Sequence, residues 1–169
     1  DPIAEYIAYI RNASQVDDSD LEGSTERLRQ VLMFQNEFDR WMKKSIEVKE
    51  SDTKIRTAGE DTPKIMDGYS RYPKHADLSW SPENNLDNLN KLEEIQENIL
   101  KYIECSCIIA ENNRQIRKHA SRHDHVVGEY KKFLKKQDLK WSAGADLHNL
   151  DTLIAIQNKT QEFLSRRDS

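Results

Sequence analysis

The stretch SPENNLDNLNKLEEIQENILKYIECSCIIAENNRQIRKHA, residues 81–120, decides the fold. Within it Leu92, Ile95, Ile99, Tyr102, Ser106, Ile109, Asn113, Ile116 and Ala120 follow one another at alternating steps of three and four, the spacing of a coiled-coil seam. Leu86, Leu89, Ile103 and Cys107 widen that stripe, which suits a helix touching two neighbours in a bundle better than a two-stranded zipper. Ser81, Pro82 and Glu83 supply a capping hydroxyl, a first-turn proline and an acid at the positive end of the dipole, so the spacing predicts a helix over 82–120. Ser106 and Asn113 place polar groups in the seam. They either fix register at a cost in stability or mark an exposed helix end.

Working downstream, Val126, Val127, Tyr130, Phe133, Leu134 and Trp141 predict an amphipathic helix over about 122–141. Ser142-Ala143-Gly144 interrupts it, and Leu147, Leu150, Leu153, Ile154, Gln157, Gln161 and Leu164 mark a last helix over about 145–165. Propensity does not decide between a turn and a kink at Gly144, because one glycine costs only about 1 kcal/mol in a helix. Upstream, periodicity stops between 51 and 81, where Gly59, Pro63, Gly68 and Pro73 are scattered among polar residues, so this segment is expected to be one long irregular connection. Before it, Leu28, Val31, Phe34, Phe38, Trp41, Met42 and Val48 form the inward face of a helix over about 19–49. Ile3, Tyr6, Ile7 and Ile10 mark a short helix over about 2–13, so residues 1–18 can stand at the periphery of the fold.

Composition agrees with an all-α chain. Five Gly and four Pro in 169 residues are too few for the closely spaced turns of a sandwich or barrel. With 36% hydrophobic and 33% charged residues the core is expected to be thin. The expected architecture is therefore an elongated antiparallel helical bundle of four or five helices with coiled-coil-like packing, a single domain over 1–169.

No run approaches the roughly 20 apolar residues of a membrane span, and the first residues lack the basic and apolar regions of a signal peptide. Cys105 and Cys107 lie two positions apart on one predicted helix and point to different faces, poor geometry for a disulfide with each other. Reduced thiols and an intracellular location, cytoplasm or nucleus, follow. Asn12-Ala13-Ser14 and Asn158-Lys159-Thr160 have the form of glycan acceptors and would instead fit a secreted helical signalling protein.

Motifs for catalysis are missing: the chain has no phosphate loop, no dinucleotide fingerprint and no nucleophile elbow, which argues against an enzyme and calls for no cofactor. His119, His123 and His125 are the one metal-like cluster, with His119 and His123 one turn apart and Asp124 or Cys107 as conceivable further ligands. Lacking a second ligand pair, the cluster reads as a surface turn rather than a metal site. Charge is uneven. Residues 1–113 carry a net −9, 114–140 a net +6 and 141–169 a net −1. Arg114, Arg117, Lys118, Arg122, Lys131, Lys132, Lys135 and Lys136, with Lys140, form a basic segment that would meet the phosphates of nucleic acid or of anionic lipid, unless it is simply a solvated face.

The excess of amphipathic helix over core points instead to a non-enzymatic protein–protein interaction module, a subunit or scaffold of a larger assembly. It would bind other proteins by helix–helix packing and through segment 51–81, with Tyr6, Ile10, Tyr69, Tyr72 and Trp80 as the contact residues.

Overall fold

The apolar steps of the sequence become six helices. The computed structural model describes residues 2–13, 21–81 and 86–168, which form α1 (Pro2–Ala13), α2 (Leu21–Ala58), α3 (Pro63–His75), α4 (Leu86–Arg117), α5 (Asp124–Lys135) and α6 (His148–Asp168), with no strand among the described residues. The fold is an all-α helical bundle in which α4 packs against α2 and α6. The capping residues expected at 82 and 83 lie outside the described residues.

The expected irregular connection over 51–81 is overturned by two helical pieces. α2 runs nine residues past Lys49, and the reason lies in its seam: Trp41, Val48 and Ile55 recur at seven-residue steps and all three are buried. The intervening Lys49, Glu50, Lys54 and Arg56 are good helix formers. The helix ends at Gly59, whose N–H reaches the Ile55 carbonyl at 2.8 Å. An added Cβ there would lie 2.3 Å from Met66 Sδ, so glycine lets the Met66 side chain of the next helix approach closely without having to shift. Thr62 and Pro63 then start α3 as cap and first helical residue, with the Ile65 and Met66 N–H groups donating to the Thr62 carbonyl. Pro73 has no N–H to offer the Tyr69 carbonyl, and α3 closes two residues later, at His75. α3 buries Tyr69 completely.

Leu28 also departs from expectation. The seam of α2 runs through Val31, Phe34, Phe38, Trp41, Val48 and Ile55, and the preceding seam place falls on Arg27, so Leu28 sits one residue past it and is 54% exposed. Near Gly144 the chain makes a full connection, since α5 ends at Lys135 and α6 begins at His148.

The chain divides into two compact units, the first comprising residues 1–54 and 71–96, the second 55–70 and 97–169. In the first, α2 and α4 run parallel: Lys44 pairs with Glu93 and Gln96 with Val48, a nearly constant offset. Its interior is aromatic. Tyr6 stacks on Phe38 at 4.1 Å, and Trp80 meets Phe38 edge-on at 5.2 Å above Trp41, Val48, Leu89 and Leu92. In the second unit α6 runs parallel to α4, with Lys101 on Asp151 and Gln157 on the Ile109 carbonyl. α5 runs antiparallel to α4, since Tyr130 pairs with Asn113 while Leu139, farther along, pairs with the earlier Tyr102. Ile116, Val127, Tyr130 and Leu164 form a cluster in this interior, and each buried aliphatic side chain contributes roughly 1.5–3 kcal/mol.

Candidate functional site

Three surfaces and one buried layer carry polar chemistry. The buried layer lies in the second unit and grows from Asn113, the polar residue of the α4 seam. Tyr130 of α5 donates its hydroxyl proton to Asn113 Oδ1 at 2.7 Å, and Gln157 of α6 donates through Nε2 to the Tyr130 oxygen at 2.8 Å and to the Ile109 carbonyl at 3.1 Å. Asn112 Nδ2 donates to Gln157 Oε1 at 3.2 Å, so both ends of this fully buried amide are satisfied. Burial pushes the Tyr130 hydroxyl above its ordinary pKa, against the pull of the Gln157 bond, so it stays protonated and donating. The layer joins three helices by directional bonds and fixes their register.

Beside it, Cys105 is buried and Cys107 exposed, and both are free thiols. Burial, reinforced by Asp151, raises the Cys105 pKa, which makes it a poor nucleophile. Asp151 in turn holds Lys101 Nζ at 3.1 Å, a bond that raises the lysine pKa.

The histidine cluster closes on a residue that sequence spacing did not bring near it. His119 Nδ1 bonds Asp168 Oδ2, and His123 Nε2 bonds Asp168 Oδ1 at 2.6 Å, so the last turn of α6 is clasped to the turn between α4 and α5. The bond from His123, then that from His119, lowers the Asp168 pKa. His125 is exposed and outside the clasp. Among the described residues no group of three or more His, Cys, Asp or Glu side chains is arranged to hold a metal ion. Nothing in the sequence near 119–125 points to residue 168; only the shared position of both histidines on one face signals a common partner.

The arginine and lysine side chains of the basic segment are all exposed. Arg114 forks onto Glu111 at 2.7 and 3.0 Å, and with Gln115 it holds that carboxyl down to about 2. Lys132 reaches Glu129 at 3.3 Å. Arg117, Lys118, Arg122, Lys131, Lys135, Lys136 and Lys140 have no ion-pair partner among the described residues.

The five aromatic and aliphatic contact residues separate. Tyr69 and Trp80 are enclosed, Tyr6 and Ile10 are half-buried, and Tyr72 is exposed. A partner could reach Tyr69 or Trp80 only by opening the interior. The apolar residues left outside include Ile7, Ile108, Phe163 and Met33 and, on α2, Leu28, Leu32 and Ile46 at 54%, 59% and 51% exposed. Leu28 and Leu32 are one turn apart, and Ile46 lies five whole turns beyond Leu28, so the three share one face of α2. Asn12 and Asn158, the potential glycan acceptors, are also exposed.

Open grooves also mark the surface of the described residues. In the second unit one of about 540 Å³ is lined by Lys64, Ile65, Tyr102, Leu139 and Trp141, with the Trp141 indole N–H donated to Asn98 at 2.8 Å. In the first unit one of about 430 Å³ lies between the end of α3 and the start of α4, with Tyr72, Leu92 and Ile95 in its wall. No helix of the described residues is long and apolar enough to cross a membrane. Comparison with protein-family models, with curated proteins and with solved structures finds no match to this chain.

Proposed function

We propose that the chain is a non-enzymatic protein–protein interaction module, a subunit or scaffold of an intracellular assembly that engages other proteins through helix faces. The observation that carries this reading is the face of α2 on which Leu28, Leu32 and Ile46 are each more than half exposed while Val31, Phe38, Trp41 and Val48 fill the neighbouring, buried seam. Scattered surface leucines are ordinary, but three on one face of one helix form a ridge, interrupted by the exposed Asp39 and Lys43, that a second helix carrying matching charges can cover. The thiols of Cys105 and Cys107 suit a reducing compartment. The test is quantitative affinity capture from the native source with the full chain and with a Leu28→Gln, Leu32→Gln, Ile46→Gln variant. A defined partner set depleted at least about tenfold by the triple change, at unchanged melting temperature, supports the reading. Identical recovery by both proteins contradicts it.

A second reading, favoured by seven exposed basic side chains without ion partners in 114–140, is an anion-binding face for nucleic acid or acidic lipid. Charge reversal at Lys131, Lys132, Lys135 and Lys136 should abolish retention on duplex DNA or on phosphatidylserine vesicles, and with it the salt dependence. Retention unchanged by the reversal rules this reading out.

A further inference from the structure

The groove of the first unit has a chemistry of its own. Leu92 forms its floor at 2% exposure, and Ile95 and Tyr72 continue the apolar wall. Arg71 and His75 from α3 and Lys91 from α4 stand in the same wall, and no carboxylate among the described residues lines it. Neither Arg71 nor Lys91 has an ion-pair partner among the described residues. The wall is braced from behind, because Asn88 Nδ2 donates to the Asp77 carbonyl at 2.9 Å and the Ala76 N–H to the Tyr72 carbonyl at 3.0 Å. This local charge runs against its surroundings: the first unit carries 17 acidic and 11 basic side chains, a net −6.

An apolar floor flanked by unpaired cations selects a ligand that is apolar in the middle and acidic at its edges. We propose that this groove receives an acidic amphipathic helical segment of a partner protein, with aliphatic anchors against Tyr72, Leu92 and Ile95 and carboxylates on Arg71 and Lys91. The inference rests on the interaction-module reading but uses a surface separate from the α2 ridge, so each can fail without the other. A purely apolar segment would leave both cations unsatisfied, and a basic one would be repelled by them.

The probe is a synthetic helical peptide with two leucines one turn apart, flanked by glutamates, titrated into the full chain and followed by amide chemical shifts and fluorescence anisotropy. A matched peptide carries lysine for every glutamate. The acidic peptide should perturb amides of 71–76 and 88–95, and Arg71→Glu with Lys91→Glu should weaken it by about tenfold or more. Tyr72→Ala should weaken it too, while the Leu28→Gln, Leu32→Gln, Ile46→Gln variant should bind it normally. Equal binding of both peptides, binding of neither, or indifference to the charge reversal would overturn the proposal. So would saturation of the groove by sodium laurate with no binding of the acidic peptide, which assigns it to a small anionic amphiphile. Circular dichroism of each variant verifies the fold, and because Arg71 and Lys91 are exposed the reversal should leave it intact.

Discussion

The two units solve the same problem, a thin helical core, by different physics. The first fills its interior with Tyr6, Phe38, Trp41 and Trp80, large rings whose contacts are strong but weakly directional, and it leaves the buried Trp41 indole N–H without a hydrogen-bond partner among the described residues. The second uses smaller aliphatic side chains around a satisfied polar layer of Asn112, Asn113, Tyr130 and Gln157. Ring packing supplies burial energy. A satisfied polar layer supplies register, since a one-turn slip of α6 would separate Gln157 from the Ile109 carbonyl, the Tyr130 hydroxyl and Asn112 at once. The difference teaches that Asn113 is not a defect in the α4 seam; it is where the second unit is specified.

The contrast can be broken most forcefully at Trp80. Truncation to alanine empties the centre of the aromatic cluster and should cost about 3–5 kcal/mol, read by urea unfolding, with hydrogen-exchange protection lost first in 31–48 and 86–96. A loss below 1 kcal/mol would mean that the rings are not what holds the first unit.

Next in size is Tyr130→Phe, which keeps the ring but removes the hydroxyl that links Asn113 to Gln157. A cost of about 1–3 kcal/mol is expected, and a double-mutant cycle with Asn113→Ala should show coupling of at least about 0.5 kcal/mol. Strict additivity would show that the layer is not a network. Gly59→Ala should destabilise by about 1 kcal/mol through its clash with Met66, and Met66→Ala in the same chain should restore much of that loss in thermal unfolding.

The smallest effect concerns the clasp of His119, His123 and Asp168. Because the folded Asp168 pKa is depressed, its contribution is fully present above the ordinary aspartate value of about 3.9 and disappears as pH falls through the folded value. Asp168→Asn should therefore lower the melting temperature at pH 7, and the gap to the unaltered protein should begin to narrow below about pH 4 and shrink further as the pH falls. A gap that does not narrow on acidification would point to packing rather than ionisation.

How much of this was legible in the sequence depends on how far apart the partners lie. The α4 seam, the burial of Phe38, Trp41 and Val48, and the boundaries of α1 could be read from local spacing because one helix face dictates them. The helical nature of 51–75 was hidden because its buried large side chains thin out to Ile55 and Tyr69 and because Gly and Pro look like breakers out of context. Two signals were nonetheless present: Ile55 continues the seven-residue step of Trp41 and Val48, and Thr62-Pro63 is a helix start. Exposure of Leu28 required knowing which neighbour α2 faces. At the candidate sites, the basic segment could be read as a run, whereas the closure of His119 and His123 on Asp168, the linking of Asn113 to Gln157, and the meeting of Arg71 with Lys91 all require tertiary packing. Local periodicity shows which side of a helix is greasy. It does not show which distant polar group completes a pair.

The most direct test of the interaction-module account is site-resolved photo-crosslinking of the full chain in its native source, with a diazirine amino acid placed in turn at Leu28, Leu32, Ile46 and, as control, the exposed Lys159 on α6. The account predicts that the three α2 positions capture one and the same protein and that Lys159 does not. Capture that is absent at all three, or indistinguishable from that at Lys159, would contradict it.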